Sequence, residues 1–250
     1  MPPRGGLFDC EDPTVWRAVL DQYWEVVGLK SAGKNRKQGK LLLLEKWYQE
    51  ELPAAIASRP EPFLQHLELV KLMEWKLTRG KFRPRLQQLV ATNPSDAVER
   101  CTRKAFGLLP DTRAAIAELS SLKAVGPATA SAVLAAGAPD QAAFMADESV
   151  ESVPGLTPIQ YTGKHYALYL AKVSERARAL NRVDSRQDWT PHSVELCLWT
   201  WAVGQKLQPS LMEGISTGEK RPAVESEPSG SSVKRRKTKQ DSAPSKEASV

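Results

Sequence analysis

Cysteine is scarce and scattered. The 250 residues hold three, Cys10, Cys101 and Cys197, with no CxxC or CxH spacing among them. That argues against a cysteine-held zinc site and against an iron–sulfur cluster. An odd, sparse count fits a reducing compartment better than a disulfide scaffold, and no cofactor is expected. Long apolar runs are missing as well. Nothing approaches the roughly 18 apolar residues of a membrane span, so no membrane association is expected. Met1-Pro2-Pro3-Arg4-Gly5-Gly6 leads into no apolar stretch, so no signal peptide is expected. Clean period-2 alternation is absent, which predicts no sheet. Histidine is limited to His66, His165 and His192; they share no helical ligand spacing and are expected to be structural or exposed.

What is present is apolar material at helical spacing. Hydrophobic residues make up 41% of the chain, enough for a real core, and the net charge is +6. A basic balance favours partners that carry phosphates. Asp12-Pro13 supplies an N-cap and a first helical residue, and Val15, Trp16, Val19, Leu20, Tyr23 and Trp24 follow on one face. Further helices are predicted over 40–56, 60–78, 84–90, 95–109, 112–122 and 127–136. Two more are predicted from Thr157-Pro158 and from Thr190-Pro191, the last ending at Gly204. Trp16, Trp24, Trp47 and Trp75 sit at apolar positions and are expected in the core.

Composition changes after residue 205. From Lys206 to Val250 aromatics vanish and Ser, Pro, Glu and Lys dominate, with nine basic against six acidic residues. Such a segment cannot bury enough apolar surface to offset its ordering entropy. The expected organisation is therefore a helical domain over 1–205 and a disordered basic tail over 206–250. Within the tail, Lys234, Arg235, Arg236 and Lys237 read as a nuclear localisation cluster, with a nuclear import receptor as the partner. Two more basic stretches lie in the body: Lys30, Lys34, Arg36, Lys37 and Lys40, and then Lys76, Arg79, Lys81, Arg83 and Arg85. Each suits either phosphate contact or a solvated face.

The segment 119–148 carries the most information. A helix ends near Leu122, the short turn Lys123-Ala124-Val125-Gly126 follows, and a second helix opens at Pro127. Gly126 permits backbone angles or close approaches that a side chain would block, and Pro127 suits a first helical position. The new helix starts with unpaired N–H groups and a partial positive charge, which makes an anion site. Lys123, Val125, Gly126, Ala128 and Thr129 are the candidate phosphate-binding residues. Asp147 follows 21 residues after Gly126, with Gly137 and Pro139 between. Taken alone, Asp147 suits either chemistry or the cap of a helix whose first turn carries Glu148 and Glu151.

The pattern Leu-x-x-Val-Gly-x-x-Thr-Ala-x-x-Val-Leu, with the spaced aspartate, resembles the helix-hairpin-helix DNA glycosylases, including poorly characterised eukaryotic nuclear members. The close match covers about 30 residues, with a hairpin at about 115–137. The resemblance implies an all-α, two-lobed glycosylase-like fold in which the hairpin grips double-stranded DNA through backbone N–H groups, beside a monovalent cation at the hairpin carbonyls. It implies base excision repair in the nucleus, with Asp147 assisting cleavage of the base–sugar bond. Ala128 stands where bifunctional members carry a Schiff-base lysine, so lyase chemistry from that position is excluded; Lys164 is the nearest lysine downstream. Monofunctional hydrolysis by a monomer is therefore expected, and borohydride is expected to trap no covalent complex with DNA. A non-catalytic DNA-binding module and a protein-interaction scaffold are the alternatives.

Overall fold

The computed structural model describes residues 6–33 and 39–216. They form thirteen α-helices and no strand. The helices are α1 (Pro13–Asp21), α2 (Tyr23–Ser31), α3 (Lys40–Lys46), α4 (Leu52–Ala57), α5 (His66–Arg79), α6 (Pro84–Val90) and α7 (Ser95–Gly107). They continue with α8 (Thr112–Leu119), α9 (Pro127–Gly137), α10 (Asp147–Glu151), α11 (Gly163–Val183), α12 (Pro191–Leu207) and α13 (Pro209–Ser216). No helix among the described residues is long and apolar enough to cross a membrane.

Local chemistry explains most helix starts. Asp12 accepts from the Thr14 N–H at 2.8 Å, Asp111 from Ala114 at 3.0 Å and Thr190 from Ser193 at 3.0 Å. Each satisfies an orphan donor of a first turn. Gln65 and Glu68 form a capping box, so α5 begins at His66 and not at Pro60. The run expected from 12 to 24 is broken at Gln22, where α2 restarts with a new phase. That places Trp24 outside, 41% exposed, whereas Trp16, Trp47 and Trp75 are buried as expected.

Two helices organise the core. α12 is buried on nearly every side and packs on α1, α2, α10, α11 and α13. α9 is built of Ala, Ser, Thr, Val and Leu, and residues 128–136 are all buried among α4, α5, α8 and α11. Its small side chains allow this close approach. At its end Gly137 has no room for more: a Cβ there would come within 2.5 Å of the Phe106 ring.

The expected boundary at 206 is too early. α12 runs on to Leu207, and α13 follows with Leu211 and Met212 buried. Leu211, Met212 and Ile215 recur at helical spacing and supply the apolar face that the averaged composition of the tail conceals. The localisation cluster Lys234, Arg235, Arg236 and Lys237 lies outside the described residues, as do Lys34, Arg36 and Lys37.

Candidate nucleic-acid interface and active-site cleft

A cleft of about 520 Å³ opens between the end of α5, the loop 80–83, the α8–α9 turn and the start of α10. Lys76, Arg79, Lys81 and Arg83 line one wall. Gly126, Ala128 and Thr129 line another, with Asp147, Glu148 and Tyr161 completing it. Four members of the second basic stretch thus reach this cleft, and Arg85 does not line it.

The α8–α9 turn is held from a distance. Asn93, buried in the loop before α7, donates to the Lys123 carbonyl at 3.0 Å and accepts from the Lys123 N–H at 2.8 Å. Both backbone groups of Lys123 are therefore engaged, which leaves its exposed side chain for a ligand. Val125 donates its N–H to Leu122 at 3.1 Å and buries its side chain; Thr129 donates to the Gly126 carbonyl at 2.9 Å. The N–H groups of Gly126 and Ala128 bond no acceptor among the described residues. Of the five candidate phosphate-binding residues, these two present open donors, at the positive end of α9. The Leu122 and Lys123 carbonyls of the turn each already accept one protein donor.

The role expected of Gly126 needs correction. Its backbone is extended, φ −96° and ψ −179°, and a Cβ placed on it meets nothing within 4 Å. The left-handed residue of the turn is Ala124, at φ 65°. No internal crowding requires glycine at 126; the open space lies on the outer side, where a ligand would approach.

Asp147 is the first residue of α10, and Ala146 occupies the cap position. Its carboxylate is not used as a helix cap. One oxygen accepts from the Tyr161 hydroxyl at 2.7 Å and the other pairs with Lys81 at 2.8 Å. Burial favours the neutral acid, but the bonds from Lys81 and Tyr161 and the charges of Lys81 and Lys76 outweigh it and hold Asp147 below its ordinary range. It is an ionised carboxylate, 24% exposed, facing the cleft. The segment leading to it is pinned: Ser131 accepts from the Met145 N–H at 2.9 Å and Tyr169 donates to the Phe144 carbonyl at 3.3 Å. Glu148 instead pairs with Lys30 at 3.1 Å, and that ammonium also lies 5.1 Å from the Trp199 ring.

Behind the cleft lies a cluster that sequence reading missed. Arg79 is fully buried between two fully buried carboxylates, Glu45 at 3.6 Å and Glu195 at 3.2 Å. The rings of Trp199, Phe144 and Trp75 surround its guanidinium at 4.3, 5.4 and 5.5 Å. Trp75 donates to Glu45 at 2.9 Å, Tyr23 donates to the same carboxylate, and Ser149 of α10 donates to Glu195 at 3.0 Å. The cluster thus ties α3, α5 and α12 together and anchors α10 beneath Asp147. Its sequence signal was available: Glu195 stands alone in an apolar run from Val194 to Trp199, and a buried acid demands a cation.

Two groups in this region titrate with opposite consequences. Burial raises Glu195 to about 7, against the pull of Arg79. Burial, with the Arg79 charge, lowers His192 to about 4. The Glu195 contribution is full below its unfolded pKa and is lost as pH rises through about 7. The His192 contribution is full above its unfolded pKa and is lost as pH falls through about 4. Between about pH 4.5 and 6.5 the two slopes oppose each other. Glu195→Gln is therefore expected to make the melting temperature climb more steeply with pH across that window than it does in wild type. Thermal scans at several pH values check this, and parallel profiles would contradict it.

Two exposed aromatics lie on segments that border the cleft. Phe82 is 63% exposed in the loop between Lys81 and Arg83, and Tyr161 is 45% exposed. Compared with models of protein families, with curated proteins and with solved structures, the chain matches none.

Proposed function

We propose that this protein binds duplex DNA across the cleft and hydrolyses the N-glycosidic bond of one extruded nucleotide. The observation that carries the reading is Asp147: an ionised carboxylate in a cation-lined cleft, facing a helix start with open N–H donors. In this reading the helical body has the two-lobed, helix-hairpin-helix arrangement of the glycosylases, with the α8–α9 turn at one lip and Asp147 on the floor. The reading places the protein in nuclear base excision repair, carried there by the Lys234–Lys237 cluster.

Gly126 and Ala128 N–H groups take a backbone phosphate, and Lys123 adds charge beside it. Extrusion brings the target sugar over Asp147. Departure of the base leaves positive charge on the deoxyribose, which a fixed carboxylate stabilises while water attacks the anomeric carbon. Lys81 is 69% exposed, so its pairing with Asp147 is a weak surface contact. A DNA phosphate competes for Lys81 and bares the carboxylate. With Ala128 in place of an amine on α9, base release is hydrolytic.

DNA binding is expected to fall steeply with salt, as cations displace condensed counterions. Gly126→Glu tests the contact. Gly126 is exposed and unstrained with open space around it, so the variant should fold. It sets a carboxylate where the phosphate sits, and affinity should drop by about tenfold or more. Lys172→Ala, on the exposed face of α11 away from the cleft, should cost much less. Equal affinities for wild type and Gly126→Glu in a fluorescence titration would remove the turn from the interface. Normal binding with no base release across a broad lesion panel would favour a non-catalytic module, and no DNA binding at all a scaffold.

A further inference from the structure

Two carboxylates stand side by side at the start of α10. Asp147 serves the sugar, and Glu148 lines the same cleft, partly buried at 31% side-chain exposure. One Glu148 oxygen takes the Lys30 ammonium at 3.1 Å; the other bonds no donor among the described residues. The side chain is held from two directions. Lys30 reaches it from α2 and packs on the buried Trp199 ring. The next residue, Ser149, donates to the buried Glu195 carboxylate at 3.0 Å and fixes the turn of α10. A fixed acceptor with an open oxygen therefore shares the cleft with Asp147. Leu77, Leu86, Phe144 and Met145 add apolar lining for the faces of a ring. Consecutive Cα atoms lie about 3.8 Å apart, so a sugar at Asp147 leaves its attached base within reach of Glu148. Glu151 lines the cleft too, but it is exposed, nothing among the described residues pairs with it, and its charge is felt by Lys81 on the phosphate side.

We infer that Glu148 is the specificity-determining residue of the cleft and selects an extruded base that carries an exocyclic amino group. The inference rests on the reading of this cleft as one that binds DNA and takes in an extruded nucleotide. A flipped base is read by hydrogen bonds to its edge. A carboxylate can only accept. Adenine and cytosine offer it an amino donor. Hypoxanthine and uracil carry a carbonyl oxygen at the same ring position. In uracil and thymine the one free ring N–H is also flanked by two carbonyl oxygens, whose lone pairs repel a carboxylate. An oxo base at Glu148 would strip water from the carboxylate and return no donor, and a site built around one hydrogen bond rejects the analogue that lacks it. Lys30 sharpens the choice, because its pairing keeps the carboxylate from turning away to accommodate the wrong base.

Two matched sets of probes differ almost only in this group: cytosine against uracil, and adenine against hypoxanthine. Each base is placed in a duplex on a 2′-fluoroarabino sugar, which resists hydrolysis, opposite a tetrahydrofuran residue, so that no base starts paired. Binding of the full-length protein then reports selection without base release. Wild type is expected to bind the amino member of each set about tenfold more tightly than the oxo member. Glu148→Gln keeps the size of the side chain and can either accept from an amino group or donate to a carbonyl, so the preference should shrink to about twofold or less. Each ratio comes from one preparation, so a loss of folded protein cancels. Glu151→Gln should leave the wild-type ratio unchanged. Equal binding of both members by wild type would overturn the inference and leave the DNA-binding reading standing. A preference that survives Glu148→Gln, or that disappears in Glu151→Gln, would also overturn it. An amino preference lost in Glu148→Gln, with no release from the same duplexes built on ordinary deoxyribose, would support the inference and remove only the hydrolytic reading. Failure to bind any of the duplexes would remove both.

Discussion

Arg79→Leu should destabilise the protein more than any substitution on its surface, by about 3–5 kcal/mol. The guanidinium stands between Glu45 and Glu195, and all three side chains are cut off from water. Removing the cation leaves two carboxylates in an apolar setting with no counter-charge. Both must then take up protons or stay ionised at a high desolvation penalty. The rings of Trp199, Phe144 and Trp75 also lose the cation they surround. For a domain of this size each kcal/mol moves the melting temperature by roughly 2–4 °C, so a drop of about 10 °C is expected. The acid left behind explains most of the loss. The pair Arg79→Leu with Glu195→Leu should therefore be more stable than the sum of the single changes allows. A melting temperature within about 2 °C of wild type for Arg79→Leu would show that the cluster contributes little to stability.

The cluster also explains where the sequence could and could not be read. Helix starts at Pro13, Pro84, Ser95, Pro127 and Pro191 were legible because the chemistry of a first turn lies within four residues of chain. The turn before α9 was legible for the same reason, as a short segment of chain. The partners of those residues were not. Asn93 reaches Lys123 across 30 residues, Tyr161 reaches Asp147 across 14, and Arg79 reaches Glu195 across 116. Such pairs depend on how helices dock, which spacing along one helix does not encode. Arg79 read as one of five surface cations because its neighbours Lys76, Lys81 and Arg83 carry the same charge; burial separates it from them. Trp24 read as core because the periodic run was carried through the break at Gln22. Gly126 read as permitting unusual backbone angles or a close approach, whereas its backbone is extended and the left-handed residue of the turn is Ala124.

Asp147→Asn offers the most direct measurement of the central claim. Asparagine keeps the size of the side chain and can still accept from Tyr161, while the charge is lost. The pairing with Lys81 is a surface contact, so its loss should change stability little. DNA affinity should hold or tighten, because the change removes a negative charge from a phosphate-binding cleft and releases Lys81. Base release is the quantity that must collapse. Asp147 is held ionised by Lys81 and Tyr161, and no other carboxylate lining the cleft has those two donors: Glu148 is tied to Lys30. A fixed charge at the developing sugar cation is worth about 10²–10³ in rate or more. Wild type and Asp147→Asn should therefore be compared in single-turnover excision on duplexes spanning a panel of damaged and mismatched bases. The account predicts release of at least one base by wild type and a loss of at least about 10²-fold in the variant, at equal or tighter binding. Release at an undiminished rate by Asp147→Asn would contradict it.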